Sequence, residues 1–162
     1  MTGNFVLRKA GRDDVPAMME MVRELALFEK ASEEVTQNEE SMTQDGFGSN
    51  PAFEAIVAED DAGKILGMAV YYMAYSTWKG RILFLDDLFV KEMNRGQGIG
   101  KALMQFFLQQ AALLKVEEVR WQVLQWNKSA IAFYKQFEPR FDPEWHTCKM
   151  NRNQILQQTK SI

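Results

Sequence analysis

Three glycines alternate in the segment Arg95–Gly100, between an apolar run and an amphipathic run. Glycine carries no side chain, so the backbone N–H groups of such a segment stay open where the next helix begins. Together with the positive end of the helix dipole, these amides suit an anion such as a pyrophosphate. Arg95 adds positive charge, and Lys101 is a second candidate. The alternative is a glycine-rich helix entry that holds no ligand.

The spacing excludes two common phosphate-binding loops. A Walker A loop requires Gly, four residues, and then Gly-Lys-Ser/Thr, but this segment carries Arg95 and Ala102 instead. A dinucleotide fingerprint requires Gly-x-Gly-x-x-Gly after the first strand of a βαβ unit. Here the pattern is Gly-x-Gly-x-Gly and it lies in the middle of the chain.

Two adjacent carboxylates, Asp86 and Asp87, interrupt an apolar run that extends from Ile82 to Val90. Neighbouring residues of a regular strand point to opposite faces. At least one carboxylate should therefore point to a buried face of the sheet, unless a bulge intervenes. Burying a carboxylate without a partner is costly, and such groups are candidates for function. The alternative is a pair of structural acids that caps a bulge.

The elements that must position these residues are mixed in type. Strands are predicted at 5–9, 53–58, 65–73, 81–90, 119–126 and 145–150, and helices at 14–28, 36–46, 99–114 and 127–137, with a short helix after the last strand. The middle strands read as antiparallel hairpins, and the later strand-helix-strand unit implies parallel pairing. The predicted fold class is α/β, with one twisted mixed sheet, helices on both faces, and a single domain over residues 1–162.

Start signals precede the first two helices. Asp13 or Asp14 is predicted to cap the first helix, with Pro16 in its first turn. The segment Thr36–Glu39 fits a capping box for the second helix, which is expected to end near Gly46.

Composition narrows the class of protein further. The 162 residues, 46% of them hydrophobic, suit one globular domain, and a net charge of −3 lacks the basic excess of a general nucleic-acid binder. Cys148 is the single cysteine and His146 the single histidine, which excludes an internal disulfide and predicts no metal site. The start of the sequence lacks a signal-peptide pattern, and no apolar run approaches ~20 residues, so no membrane association and a cytoplasmic location are expected.

At this point the sequence resembles the GNAT superfamily of N-acetyltransferases, whose acetyl-CoA loop reads Arg/Gln-x-x-Gly-x-Gly/Ala. Arg95, Gly98 and Gly100 match that pattern in full. Over nearly the whole chain the sequence is similar to the diamine acetyltransferases, and more to their thialysine (type 2) branch than to the spermidine/spermine branch. The segments that carry this similarity are Phe28–Lys30, Asp45–Gly48, Tyr75–Arg81, Arg95–Gly100 and Trp126–Asn127.

The resemblance implies transfer of the acetyl group of acetyl-CoA to a primary amine, by direct attack in a ternary complex. The implied acceptor is a small diamine, a polyamine or a thialysine-like amine, and the implied assembly is a homodimer. Two alternatives stay open at this stage. The acceptor could be a protein or peptide amine, or the chain could be a non-catalytic CoA-binding domain.

The resemblance also implies two catalytic residues. Tyr134 takes the position of the tyrosine that protonates the sulfur of CoA, although by spacing alone it could equally pack beside Phe133 and Phe137. Asp86 takes the position of an acid that helps to remove the proton of the amine through water. The family has Glu there, so the side chain in this sequence is one methylene shorter.

The remaining site residues are carried over by position. The resemblance assigns cofactor binding to Leu88, Phe89, Val90, Arg95, Gly96, Gln97, Gly98, Ile99, Gly100, Lys101, Asn127, Lys128, Ser129 and Ala130. It assigns substrate binding to Phe28, Glu29, Trp78, Asp86 and Asp87.

Overall fold

A five-stranded sheet organises the first part of the chain. The computed structural model describes residues 4–159, which fall into two compact units with a boundary between Gln122 and Val123. The strands of the first unit are β1 (Phe5–Lys9), β2 (Glu54–Asp60), β3 (Ile65–Ser76), β4 (Gly80–Val90) and β5 (Glu118–Trp121). They lie in sequence order, antiparallel from β1 to β4, and β5 runs parallel to β4. The mixed sheet predicted from the sequence is confirmed.

Helices cover both faces of this sheet. The helices of the first unit are α1 (Val15–Phe28), α2 (Glu39–Phe47) and α3 (Ile99–Leu113). On one face, Met18 and Met19 of α1 pack in one buried cluster with Met68, Val70 and Phe89. We call this the α1 face, and its residues alternate along each strand, as the two-residue period of a strand requires.

The opposite face packs against α3. The rings of Tyr71 and Phe107 lie 5.6 Å apart in an edge-on arrangement. A Cβ atom added at Gly67 would lie 2.8 Å from the carbonyl oxygen of Phe89 and 3.3 Å from a methyl group of Leu103. Gly67 is therefore required because the neighbouring strand and α3 approach the backbone so closely. The predicted arrangement of helices on both faces is confirmed.

The cap residue predicted for the first helix is confirmed, whereas the capping box predicted for the second helix is displaced. Asp14 is the N-cap residue of α1, but its carboxylate accepts hydrogen bonds from the Gly11 amide and from Arg8 instead of capping the helix. The hydrogen bonds from Arg8 hold the pKa of Asp14 below its ordinary value, since they favour the ionised form. In α2 the capping box lies two residues later than predicted, because Asn38 exchanges hydrogen bonds with Ser41.

Strand β5 is shorter than predicted, because its backbone pairing with β4 ends early. The parallel ladder runs from Ile82 with Glu118 to Leu85 with Trp121, and Asp86 follows directly. At Asp86 the backbone of β4 leaves the regular register. The residues after Trp121 therefore lack a continuous ladder, and the strand expected to reach Trp126 ends at Trp121.

The second unit is helical where it is regular. It contains α4 (Lys128–Lys135) and α5 (Arg152–Gln158). The strand predicted at 145–150 is wrong, since this segment has no regular structure. A strand needs a neighbour to pair its backbone groups, and none lies beside this segment within residues 4–159. Trp145 is 75% exposed and Met150 53% exposed, so the apolar character that favoured a strand is not buried here.

Candidate active site

A β-bulge in β4 brings the two adjacent carboxylates to the same face of the sheet. Val70 pairs with Asp87 and Tyr71 pairs with Leu85, so Asp86 is an extra residue with no partner in the register. Asp87 shares the α1 face with Val70, its cross-strand partner. Phe84 stacks on Tyr72 of that face, and counting forward from Phe84 by the two-residue strand period places Asp86 there as well. The bulge anticipated from the sequence therefore gathers the two acids.

The acids interact with each other and with the end of α1. Burial, followed by the charges of Asp86 and Glu29, raises the pKa of Asp87 from 3.8 to about 6. Glu29 directly follows the last residue of α1. Asp86 is exposed, and partial desolvation raises the pKa of its carboxyl group too. Three carboxylates thus lie within electrostatic range, an arrangement that attracts a cation and can accept a proton near neutral pH.

Tyr72 belongs to this group and was missed in the sequence analysis. Its ring stacks on that of Phe84, with centroids 5.2 Å apart. Desolvation, with the charge of Asp86 second, raises the pKa of the Tyr72 phenol. The signal that could have identified it is the period of two along β3, which puts Tyr72 on the same face as Val70. That inference needs the register of the hairpin, which the sequence did not supply.

The glycine loop has the conformation that an anion site requires. Gly96 and Gly98 adopt φ values of +76° and +85°, in the left-handed region that favours glycine. Gly98 is the N-cap of α3, and the Ala102 amide donates to the Gly98 carbonyl at 3.0 Å. The amides of Ile99, Gly100 and Lys101 precede that first helical hydrogen bond.

The space directly beside the two glycines of the loop is open. A Cβ atom at Gly96 or Gly98 would meet nothing within 4 Å, so the two glycines serve the backbone conformation and not a tight fit. Gln97 donates to the Met93 carbonyl at 3.4 Å, and Lys101 is exposed beside the loop. The residues present therefore suit the phosphates of acetyl-CoA, whose reactive part is a thioester.

The strand that leads to the loop presents alternate side chains to the two faces. Phe89 is buried on the α1 face, and Leu88 pairs with Ala69 on the opposite face. Val90, at the end of β4, accepts a hydrogen bond from the Nε of Arg95 at 3.0 Å. The guanidinium carbon of Arg95 lies 5.7 Å from the ring centroid of Phe89 and 6.0 Å from that of Phe28. The structure thus brings Phe28 to the loop.

Trp78 is the one predicted substrate residue of this unit that lies elsewhere. It stands in the turn between β3 and β4 and is 84% exposed. Gly80 and Asp86 are six residues apart on β4, which corresponds to about 20 Å along a strand. Within one chain, Trp78 is therefore remote from the acids of the bulge.

The predicted residues of the second unit lie at the start of α4, except Tyr134, which lies near its end. Asn127 caps this helix, because its side-chain oxygen accepts from the Ala130 amide at 3.1 Å. Lys128, Ser129 and Ala130 form its first turn. Tyr134 is buried, with its ring 5.2 Å from that of Phe133. That ring contact fits the packing interpretation of Tyr134 and leaves the catalytic one open.

Neither a metal cluster nor a membrane-spanning helix is found in the part of the chain that the structure describes. Across the described residues 4–159, no three His, Cys, Asp or Glu side chains gather as a possible metal site. Over the same range, none of the helices has the length and apolar character needed to span a membrane.

Known proteins share both the sequence and the architecture. The profile of the Acetyltransferase (GNAT) family matches residues 17–138. A thialysine N-epsilon-acetyltransferase of Sus scrofa is 38% identical over 156 residues, covering 90% of this chain and 92% of that protein. The enzyme of the same name from Mus musculus is 40% identical over 136 residues, 80% of each chain. An aminoglycoside acetyltransferase from an uncultured soil metagenomic sample shares the fold, with a TM-score of 0.75 at 20% identity over 91% of this chain and 97% of that one.

The chain therefore belongs to the GNAT family of acetyltransferases, as its glycine loop and mixed sheet led us to expect. Within that family its relatives are N-acetyltransferases, and the chain is an acetyl-CoA-dependent N-acetyltransferase. The fold, the family and the reaction class predicted from the sequence are confirmed.

Proposed function

We propose that this enzyme acetylates a primary amine of a small diamine, a polyamine or a thialysine-like substrate, by direct attack in a ternary complex. The observation that carries the proposal is that Asp86 and Asp87 share one face at the bulge, within electrostatic range of Glu29 at the end of α1. Three carboxylates attract a substrate that carries more than one positive charge. The two relatives named thialysine N-epsilon-acetyltransferases support the same substrate class.

The chemistry requires that the amine lose its proton before it attacks. An alkyl amine with a pKa near 10.4 is only about 0.04% neutral at pH 7. Asp86 is the exposed acid of the bulge and takes this proton through water, which compensates for its short side chain. Asp87 and Glu29 hold the remaining positive charge of the substrate, with Tyr72 and Phe28 as apolar walls.

The acetyl donor is held by the other end of β4. The amides at the start of α3 and the charge of Lys101 bind the phosphates of acetyl-CoA. The backbone of Leu88–Val90 and the first turn of α4, from Asn127 to Ala130, contact the rest of it. Holding both substrates in one complex turns the transfer into a step within that complex. Tyr134 donates a proton to the sulfur that leaves.

The assembly that we propose is a homodimer. Strand β2 pairs with β3 only as far as Tyr71. Beyond Tyr71, within residues 4–159, no strand pairs with β3 on the edge opposite β4. Its exposed side chains include Met73, Tyr75 and, in the adjoining turn, Trp78. In a dimer the partner's Trp78 would reach the amine pocket that Trp78 of the same chain cannot reach. The full chain then acts as one catalytic domain, since the family match crosses the boundary between the two units.

We also propose that the enzyme works in the cytoplasm and needs no metal ion. A highly charged thioester does not cross a lipid bilayer unaided, so the enzyme must share a compartment with its acetyl donor. Direct transfer of the acetyl group to an amine needs no Lewis acid when protein groups handle the protons. Cell fractionation tests the location, and full activity after treatment with EDTA tests the second point.

The experiment that tests the function is release of free thiol from acetyl-CoA in the presence of different amines. The panel contains thialysine, lysine, spermidine, spermine, short diamines and a lysine peptide. Turnover of a small amine with a second charge, well above that of the peptide, supports the proposal. Preference for the peptide contradicts the substrate class. Binding of acetyl-CoA without turnover of any acceptor would identify a non-catalytic domain.

A further inference from the structure

We propose that Arg95 is a positioning residue that ties the acetyl-CoA loop to the end of α1 and so couples the two substrate sites. The inference rests on the proposed function, because it assigns the amine site to the acids beside that helix end. Arg95 matches the first position of the family's loop pattern, where either Arg or Gln stands. Its observed contacts, however, are with two aromatic rings and a backbone carbonyl.

Arg95 is held from two sides. Its Nε donates to the Val90 carbonyl at 3.0 Å, which fixes the side chain against the end of β4. Its guanidinium lies 5.7 Å from the Phe89 ring centroid and 6.0 Å from the Phe28 ring centroid, within the range of cation–π contacts. Phe89 is 5% exposed and belongs to the core, whereas Phe28 is 44% exposed. The guanidinium therefore connects a rigid ring to a ring at the surface.

The connection reaches the acids of the amine site. Phe28 is the last residue of α1, and Glu29 follows it as the C-cap. The charge of Glu29 acts on Asp87, so the position of this helix end affects the field in which the amine binds. Any displacement of Arg95 when the loop binds acetyl-CoA is thus passed on to Phe28 and Glu29. A coupling of this kind is reciprocal, because each ligand must affect the affinity of the other equally.

The first test measures the tie without using enzyme activity. Hydrogen exchange is followed at the amides of residues 29–31, which bond back into the last turn of α1. We expect bound CoA to slow this exchange in the parent protein. Phe28→Leu removes the ring but keeps apolar bulk, and we expect CoA to bind without slowing the exchange. Equal protection in the parent and in Phe28→Leu would overturn the inference.

The free protein provides a second arm of the same test. Arg95→Lys keeps the charge but loses the planar group that contacts both rings. We expect faster exchange at residues 29–31 in Arg95→Lys and in Phe28→Leu, and no further increase in the double variant. Phe28→Tyr keeps a ring and should behave like the parent. Additive effects in the double variant would show that the two residues act separately and would contradict the tie.

Kinetics separate a positioning role from a general loss of structure. We expect Phe28→Leu to raise KM for the amine about two- to fivefold, the range of one exposed cation–π contact, and to remove the effect of bound amine on the affinity for CoA, which loss of a pocket wall alone would leave in place. Phe141→Leu is the matched control, because Phe141 is 43% exposed and lies far along the chain. A fall in kcat alone would contradict the inference. A protein that binds CoA, passes the exchange test and acetylates no amine would contradict the proposed function only.

Discussion

Ionising Asp87 costs the folded protein free energy, because its carboxyl group is half-buried beside Asp86 and Glu29. Its pKa rises from 3.8 in the unfolded chain to about 6 in the fold, so the folded state holds the proton more tightly. The stability that this proton provides is complete below the unfolded pKa and is lost as the pH rises through about 6.

Asp87→Asn should therefore stabilise the protein while impairing it as an enzyme. We expect the free energy of unfolding at pH 7 to rise by about 1–3 kcal/mol, and to change little near pH 3 where the parent carboxyl is protonated in both states. Urea titrations at the two pH values measure this. Asp61→Asn, at an exposed turn position, is the control and should show no such dependence. A gain of equal size at both pH values would show that the charge is not its cause.

The neighbours of Asp87 should control the pH dependence of the reaction. In the proposed function Asp87 must be ionised to hold a cationic amine, so kcat/KM should fall below about pH 6. Asp86→Asn or Glu29→Gln removes a charge that raises the pKa of Asp87, and the acid limb should move to lower pH. The measurement is kcat/KM for the amine between roughly pH 5 and 8. A limb that stays in place would favour the interpretation of the acids as structural caps of the bulge.

Tyr134 provides a test of the leaving-group step. Tyr134→Phe keeps the ring that packs on Phe133 but removes the proton donor. We expect acetyl-CoA binding to persist and kcat to fall by about 10²-fold or more, the usual contribution of a general acid. Calorimetry measures the first and thiol release the second. Tyr75→Phe, at an exposed position of β3, is the control. Turnover equal to that of the parent would leave Tyr134 with a packing role.

Among the elements, the loop before α3 depends on backbone conformation more than on space. Gly98 has φ +85° with no atom within 4 Å of an added Cβ, and Gly63 has φ +79° with only an ordinary contact. Gly98→Ala and Gly63→Ala should thus lose a similar stability, about 1–2 kcal/mol for a left-handed alanine. Only Gly98→Ala should weaken acetyl-CoA binding. The affinity should fall about tenfold if binding must restore the loop conformation at an energy cost similar to this loss of stability.

Calorimetric titration with acetyl-CoA and thermal melts of both variants measure the two effects. Equal affinities for acetyl-CoA would mean that the amides of the loop do not hold its phosphates. A similar loss of affinity in both variants would indicate a general effect of stability instead.

At the scale of the whole molecule, the position of Trp78 makes the oligomeric state a question about the active site. We expect sedimentation to give twice the 18.7 kDa mass of one chain. If the partner's Trp78 completes the pocket, then Trp78→Ala and Asp87→Asn impair the same site from different chains. Mixing and re-associating the two variants should restore about a quarter of the parental sites, since half the dimers are mixed and each has one intact site.

Re-association without any recovery of activity would show that each chain builds its own amine site. A protein that sediments as a monomer and is fully active would contradict the dimer altogether. Mixing Asp86→Asn with Asp87→Asn is the control, because both changes lie on the same strand and no mixed dimer regains an intact site.

The sequence could predict most elements, because their signals are local. The apolar period of α1, the hairpin between β2 and β3, and the glycines before α3 each depend on residues close in the chain. Asp14 was predicted correctly as the cap residue of α1, but its side chain does not cap the helix. Its carboxylate accepts from Gly11 and from both terminal nitrogens of Arg8, three and six residues earlier in the chain, and a carboxylate held by a bidentate arginine no longer serves the helix.

The proposed amine site combines local signals, which the sequence could supply, with long-range ones, which it could not. The two acids in an apolar strand predicted a bulge or a buried charge, and the family pattern indicated which chemistry to expect. The register that puts Tyr72 beside Asp86, and the approach of Glu29 to Asp87, depend on how three elements pack. The failed strand at 145–150 is another case, since its apolar pattern was present and its pairing partner was absent from the described residues.

By itself the sequence determined the α/β class, the glycine loop before α3 and the membership of the acetyltransferase family, because backbone conformation and motif spacing are encoded locally. Only the tertiary structure decided which charged and aromatic groups lie close enough to interact. It shifted the pKa of Asp87, placed the guanidinium of Arg95 between Phe28 and Phe89, and moved Trp78 away from the acids of its own chain. These outcomes depend on distances between residues far apart in the chain, and such distances exist only after the strands have paired and the helices have packed.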